Sequence, residues 1–339
     1  MQQYDEALFE YYQIPRKYEF LIPSFLSDAQ IDLIMLMGHE IMEHEQLVGL
    51  IHEKMSFQVS FPDRFIADSY HDTILDKVIS EEGKLCYKLG EFYNRIACCA
   101  RYEYDKWVLL DEKVRFELDQ YILSEYLARG VDETITQCMN GGIDPKGRIN
   151  EFIDLEDAKN IIDHASAYVF QFRCDCRSYV HRCDNPLDNC IHFGKPHINS
   201  PADRGHGKRL TKEEAFEVCR QANKHGLMQN FELHSGGICN CCACCCIPIR
   251  TSIIKGSNHI WPIPKAFIEI DQGKCIKCGK CVKICHFGAL SKEKGQDSPV
   301  VYDKEKCRGC TLCYPNCPSE AIKLVDKREV KYQNLDEDH

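Results

Sequence analysis

The sequence predicts an α+β protein built in parts. The expected divisions are a helical or winged-helix-like front over residues 1–130, a cysteine-rich α/β module over 131–264, a duplicated unit over 265–326 and a charged tail over 327–339. Three observations lead there. Charge and cysteine shift together along the 339 residues: 1–150 carry 15 basic and 27 acidic side chains with four Cys, 151–264 carry 13 of each sign with eleven Cys, and 265–339 carry 14 basic and 12 acidic with eight Cys. Apolar residues at helical spacing dominate the front. The segment 265–326 repeats itself at an offset of 32 residues.

In the front, Ser27-Asp28 caps a helix expected over Ile31 to Glu43, and Gln46 to Met55 continues in the same style until Pro62-Asp63 breaks it. Tyr70 to Cys86 reads as helix, the aromatic stretch Lys88 to Leu109 as strands, and Phe116 to Ala128 as a further helix. Helices followed by a strand pair suit a winged-helix-like unit, with a purely helical scaffold as the alternative. The acidic balance argues against nucleic-acid binding, which needs a basic face; the front is expected to dock a partner or to oligomerise. Gly130 to Lys146 reads as a linker. Beyond it come a helix over Leu155 to His164, a strand over Ser166 to Arg173, and a helix opened by the Thr211–Glu214 capping box and closed at Gly226. A strand over Met228 to His234 is expected to lie beside Ser166 to Arg173. No apolar run approaches the length of a membrane span, and the polar N-terminus is no secretory signal. A reducing cytosol, where thiols stay free or bind metal, is therefore the expected compartment.

The duplicated unit carries the strongest motif. Cys275-x2-Cys278-x2-Cys281-x3-Cys285 is followed 32 residues later by Cys307-x2-Cys310-x2-Cys313-x3-Cys317-Pro318. Ile270-Asp271 matches Tyr302-Asp303, and Ala289-Leu290 matches Ala321-Ile322. Each copy should run strand, loop, short helix, strand. Two residues between cysteines let a tight loop wrap three irons of a cube, and the fourth Cys falls too far along to close the same cube. Cys275, Cys278, Cys281 and Cys317 are thus expected to hold one [4Fe–4S] cluster, and Cys307, Cys310, Cys313 and Cys285 the second. The stretch from about Ala266 to Val325 resembles the bacterial-type two-cluster ferredoxins. That resemblance implies a ferredoxin-like fold and one-electron transfer at low potential. His286 departs from it, standing where Pro is usual, and is a candidate for tuning a cluster or simply an exposed loop residue. Lys274, Lys277, Lys280 and Lys283 decorate the first loop, either as a docking face for an acidic partner or as a solvated one.

A second cysteine field lies between: Cys174, Cys176, Cys183 and Cys190, then Cys239, Cys241, Cys242, Cys244, Cys245 and Cys246. Ten soft ligands suit at least one further iron–sulfur cluster held by a subset of them, with structural zinc or a redox-active dithiol as alternatives. Adjacent cysteines rarely serve one metal, so the 242–246 run must include bystanders or serve two sites. Arg173, Arg177 and Arg182 could neutralise such a centre, and His181 and His192 could be ligands or solvent-facing. Cys86, Cys98, Cys99, Cys138 and Cys219 read as ordinary thiols. The Cys174–Arg177 stretch, the Ile238-Cys-Asn-Cys-Cys242 run and the duplicated end together resemble a group of multi-cluster iron–sulfur proteins of anaerobes, which implies electron transfer in anaerobic metabolism. No G-x-G-x-x-G or phosphate loop is present.

The expected role is an electron carrier, or an oxidoreductase subunit, rather than a stand-alone enzyme. It would exchange single electrons with a partner oxidoreductase, and assembly with like or unlike chains stays open. The alternatives are a reductase with the central thiols as active site, and an activator that reduces another metalloenzyme.

Overall fold

The computed structural model describes residues 4–141, 150–165, 168–232, 236–293, 295 and 298–329. The chain forms two compact units, 1–115 with 196–207 and 116–195 with 208–339.

The first unit opens with α1 (Glu6–Tyr11), a 3-10 turn (Arg16–Leu21), α2 (Ile22–Phe25) and α3 (Asp28–Met37). Ser27 and Gln30 form the reciprocal capping box of α3, and the helix stops at Met37 because Gly38 takes a positive φ of 53°, short of the expected Glu43. Then come β1 (Met42–Glu43), α4 (His44–Met55), α5 (Pro62–His71), β2 (Leu75–Ile79) and β3 (Leu85–Leu89). Pro62 sits in the first turn of α5, where its missing N–H costs nothing. The three strands pair in the order β1-β3-β2, all antiparallel. The order is thus helix, short strand, two helices and a terminal hairpin whose last strand lies centrally in the sheet.

Two expectations within it are corrected. Tyr70 to Cys86 is not one helix: it ends α5 and forms the β2 hairpin arm, because Val78 and Ile79 favour strand and Gly83 (φ 79°) turns the chain. Lys88 to Leu109 is not paired strand: beyond Leu89 it folds into α6 (Phe92–Tyr102) and α7 (Tyr104–Trp107). Phe92, Ile96 and Cys99 recur at helical spacing on the buried face. Burial pushes the Cys98 and Cys99 thiols up to about 11 and about 12, so neither carries appreciable thiolate near neutrality.

The inserted segment 196–207 contributes Arg204, which donates to the Leu75 carbonyl and pairs with Asp76, and the buried His206. The His206 ring stacks on Tyr102 at 3.7 Å between centroids, and its Nε2 donates to the His71 carbonyl at 3.0 Å. Burial holds His206 down to about 4, below its ordinary 6.5. The folded form therefore disfavours the proton that the unfolded chain binds below pH 6.5. Stability from this residue is full above that pH and is lost as pH falls toward 4, about 3 kcal/mol in all. Urea titrations of the wild type and His206→Gln between pH 7 and 4 check this: the variant should lose that part of the pH slope, and identical slopes would contradict it.

The second unit begins with α8 (Glu112–Tyr126) and α9 (Asp132–Met139). Residues 132–139 are thus helical rather than linker, with a break at Arg129 and Gly130, the latter at φ 100°; the remainder of the expected linker, from 142, lies outside the described residues. A six-stranded antiparallel sheet follows: β4 (Asn150–Phe152), β5 (Val169–Arg173), β6 (Asp188–Phe193), β7 (Lys208–Arg209), β8 (Met228–Glu232) and β9 (Gly237–Cys241), in the spatial order β4-β8-β9-β6-β5-β7. Between them run α10 (Leu155–His164), α11 (Asp175–Val180) and α12 (Lys212–Lys224). The capping boxes Asp154/Asp157 and Thr211/Glu214 open α10 and α12. These two helices and the sheet enclose a core of Ile161, Ile162, Val169, Ile191, Phe231 and Ile238. β5 and β8 are not neighbours as expected; β9 and β6, themselves cysteine-bearing, lie between them. Ser166 and His234, at the ends of the two expected strands, fall outside the described residues.

After α13 (Ile247–Lys255) the duplicated segment forms β10 (Phe267–Ile270), α14 (Lys280–Ile284), β11 (Leu290–Lys292), β12 (Val300–Tyr302) and β13 (Ile322–Val325). β10 pairs with β13 and β11 with β12, so each strand of one copy pairs with a strand of the other. The duplication extends to the backbone: positive φ recurs at Lys277 and Gly309, and at Gly279 and Thr311. The expected short helix forms in the first copy; in the second, residues 312–315 form turns.

Candidate metal centres

Both cysteine loops of the duplicated segment face a small apolar core of Ile268, Leu290, Val300 and Ile322, against which Cys275, Cys281, Cys285, Cys313 and Cys317 pack. Burial, with Cys275, Cys278 and Cys317 close by, pushes the Cys281 thiol up to about 11. Burial together with Cys307 and Cys285 pushes Cys310 up to about 12, and Cys313 is raised by burial and by Cys310, Cys307 and Cys285. Electrostatically, Cys317 acts with Cys275 and Cys278 on Cys281, and Cys285 acts with Cys307 on Cys310 and Cys313, while Cys281 also acts on Cys313. Crowded thiols that raise one another are relieved when cationic metal replaces their protons. Backbone amides are aimed at sulfur: Ala321 N donates to Cys317 Sγ at 3.3 Å and Gly309 N to Cys307 Sγ at 3.4 Å. An all-thiolate donor set, amide donors and an apolar wall fit two [4Fe–4S] clusters. Gly309 is needed for more than its φ of 67°, since a Cβ there would meet Pro264 Cβ at 2.5 Å.

His286 is engaged elsewhere: its Nε2 meets the Gly226 carbonyl at 2.7 Å. Asn316, between Cys313 and Cys317, likewise donates to Asn223 Oδ1 at 2.9 Å. Both tie the cysteine loops to the C-terminal end of α12. Neither anchor is visible in the sequence, where His286 stands out only as a departure from Pro and Asn316 not at all. Lys274, Lys280 and Lys283 are exposed, as is Cys278, and Ile276 between them is 63% exposed.

The ten central cysteines separate into two groups. Six close a ring in which each thiol contacts the next: Cys174 with Cys176 and Cys190, Cys176 with Cys246, Cys246 with Cys241, Cys241 with Cys239, and Cys239 with Cys190. The Cys246 to Cys241 Sγ separation is 3.5 Å. Strand β9 supplies 239 and 241 on one face because strand side chains alternate, β6 supplies 190, and the turn between β5 and α11 supplies 174 and 176. His192 lies beside Cys239, and its ring packs edge-on to Phe172 at 5.1 Å. The other four, Cys183, Cys242, Cys244 and Cys245, have every Sγ within 4.8 Å of the others.

Arg177 is fully buried beside them. Its Nη1 donates to the Pro186 carbonyl at 2.6 Å, and its Nη2 to the Asn240 carbonyl at 3.1 Å and Cys242 Sγ at 3.5 Å. Burial works against its charge, but Cys174 and Cys242 raise its pKa and keep it protonated. Arg173 instead pairs with Asp188, and the exposed Arg182 donates to the Cys244 carbonyl at 3.3 Å. His181 is exposed at the end of α11.

The ring and the duplicated segment share a wall. Cys241 and Cys246 are buried with Phe152, Met228, Ile249 and Leu312, and Cys239, Cys310, Ile284 and Phe287 pack against the same cluster. A buried polar chain runs alongside: Asn316 to Asn223, Asn223 to Gln229 at 2.8 Å, and Gln229 to Asn240 at 2.8 Å.

Two antiparallel β pairs, each joining a strand of one copy to a strand of the other, with a four-cysteine loop in each copy, define a two-cluster ferredoxin module. Residues 268–324 match the family described as a 4Fe-4S dicluster domain, and through this segment the chain belongs to it. The segment is 38% identical over 69 residues to an uncharacterized ferredoxin of Methanocaldococcus jannaschii, covering 20% of this chain and 90% of that one. It is 37% identical over 70 residues to the pyruvate synthase subunit PorD of Methanothermobacter marburgensis, covering 21% and 76%. It is also 39% identical over 61 residues to the archaeal-type glutamate synthase [NADPH] of Thermotoga maritima, of whose length the match spans 12%. Iron–sulfur electron transfer is therefore the class of activity. The central thiols are a donor set that could bind additional iron–sulfur centres. Among the described residues no helix is long and apolar enough to cross a membrane.

Proposed function

We propose that this chain is an electron-transfer subunit. In this reading Cys275, Cys278, Cys281 and Cys317 hold one [4Fe–4S] cluster, and Cys307, Cys310, Cys313 and Cys285 hold the other. A subset of the six-thiol ring holds a further iron–sulfur centre. When bound, these groups supply single-electron capacity. The protein packs them against apolar walls, biases their potentials with backbone amide donors, and holds them close. The observation that carries the reading is the one apolar cluster in which Cys310 packs with Cys239, Cys241 and Cys246: no solvent layer separates the second cysteine loop from the ring.

Flash photoreduction of the anaerobic holoprotein tests it. Electrons should appear at the central centre with a rate independent of protein concentration; a rate that scales with concentration would mean transfer between molecules and would remove the intramolecular route.

The outlet is proposed at the exposed first loop. Lys274, Lys280 and Lys283 surround Ile276 and Cys278 there, an apolar contact within a cationic rim suited to an acidic cytosolic oxidoreductase. The likeness to a pyruvate synthase subunit supports a partner of that class. Reversing the three lysines to Glu should slow electron delivery to an acidic acceptor protein at least 10-fold at low salt and flatten its salt dependence. Equal rates would place the outlet elsewhere.

A further inference from the structure

Cys183, Cys242, Cys244 and Cys245 are set apart, among the described residues, by mutual convergence: every sulfur lies within 4.8 Å of every other, whereas close contacts in the ring, such as Cys246 to Cys241, run only between neighbours. The Sγ separations are 3.7 Å for 183 to 242, 4.0 Å for 183 to 245 and 3.8 Å for 244 to 245, and every remaining pair lies within 4.8 Å. Zinc–sulfur bonds of about 2.3 Å in a tetrahedron set sulfur–sulfur edges of about 3.8 Å. A [4Fe–4S] cube puts each thiolate on a different iron and spreads the four sulfurs to roughly 6 Å. Among the described residues, neither the ring nor the eight cysteines of the duplicated segment brings three thiols inside 4.8 Å of one another. The tight set and the open sets thus ask for different occupants.

We propose that Cys183, Cys242, Cys244 and Cys245 hold one tetrahedral zinc ion, a structural site separate from the iron–sulfur centres. Four protein thiolates close the coordination shell and leave no position for substrate, which is the pattern of structural zinc. Zinc also binds thiolates more tightly than ferrous iron in the divalent series. Four thiolates around Zn2+ leave a net charge of −2, and donors are in place to meet it. Arg177 Nη2 reaches Cys242 Sγ at 3.5 Å, and Asn185 Nδ2 reaches Cys183 Sγ at 3.3 Å. Ala222, Leu227 and Val180 form the apolar shell. The site clips the loop between α11 and β6 to the loop between β9 and α13. The first loop leads into β6, which carries Cys190, and the second is bounded by Cys241 and Cys246, so the clip would set the shape of the six-thiol ring. Binding displaces the thiol protons to solvent and involves no electron.

The site stands on its own geometry and survives or fails apart from the electron-transfer reading. The test is metal analysis and zinc-edge X-ray absorption of the full chain, purified anaerobically from medium supplying both metals. About one zinc per chain, with four sulfurs at about 2.3 Å and no metal neighbour at cube distance, is the expected result. Cys183→Ser and Cys244→Ser should each lower zinc retention against a chelator at least 10-fold while iron and acid-labile sulfide stay constant. Cys239→Ser should keep the zinc. Absence of zinc from the wild type would overturn the proposal, as would a lone iron in the four-sulfur shell or loss of iron and sulfide in Cys183→Ser. The wild-type absorption spectrum decides the matter even if a variant fails to fold.

Discussion

Cys310→Ser should abolish concentration-independent electron arrival at the central thiols, a loss of at least 100-fold, while the C-terminal strands still pair. Cys310 is singled out because it belongs to two environments at once. It meets Cys307 and Cys285 in the second cysteine group, and it packs on the Met228, Ile249 and Leu312 cluster that buries Cys241 and Cys246. The carbonyl of its neighbour Gly309 accepts from the Lys265 amide at 2.9 Å, which fixes the loop. Exchanging sulfur for oxygen removes a soft ligand from the group and weakens iron retention. Flash photoreduction reads the lost phase. Cys278→Ser, on the exposed loop, should leave that phase in place and impair exchange with an external partner instead. If the two variants lost the same phase, the internal wall would not be the route.

The second large effect is on stability. Asp119 on α8 is fully buried and accepts from both guanidinium nitrogens of Arg250, each at 2.6 Å, with Arg182 at 3.4 Å. Arg250 lies on α13, directly after the 242–246 run, so this carboxylate holds the helix that carries the central cysteines into place. Asp119→Ala would strand the buried guanidinium, at a cost of about 3–5 kcal/mol. Exchanging the pair together for apolar residues of similar volume should cost far less. Equilibrium denaturation of the single and double variants under anaerobic conditions measures the difference. Equal losses would show that lost packing, not a stranded charge, dominates.

The parts of the fold that were legible in the sequence share a cause: their signals are local. The Thr211–Glu214 box opens α12 and Gly226 closes it, and Leu155–His164 is helical from its first expected residue to its last. The duplicated segment announces itself because its ligands are spaced by the geometry of a short loop. The errors fall where tertiary packing decides. Tyr70 to Cys86 has enough apolar residues for a helix, but the hairpin forms because β3 is covered on both sides, by β1 and β2. Lys88 to Leu109 alternates aromatics as strands do, but Phe92, Ile96 and Cys99 also fit a helical face and bury there. The placement of 196–207 in the first unit has no local signal at all.

The same distinction applies to the site. Ten central cysteines mark a metal-rich region, but nothing in the order 239–246 says that 239, 241 and 246 turn one way and 242, 244 and 245 the other. Strand alternation explains 239 and 241; the turn after β9 sends 242, 244 and 245 to meet Cys183. Adjacent Cys244 and Cys245 converge, against the expectation that neighbours point apart, because they lie in that turn rather than in a strand. Arg177 is visible in sequence only as one of three arginines. Burial singles it out, since it alone of the three is fully enclosed against sulfur.

The most direct test of the account is the count of iron and acid-labile sulfide per chain in anaerobically purified protein. Two [4Fe–4S] clusters in the duplicated segment and a further centre on the six-thiol ring predict clearly more than about eight of each, with the excess lost in Cys239→Ser and about eight retained. A count of about eight in the wild type, unchanged by Cys239→Ser, would contradict it.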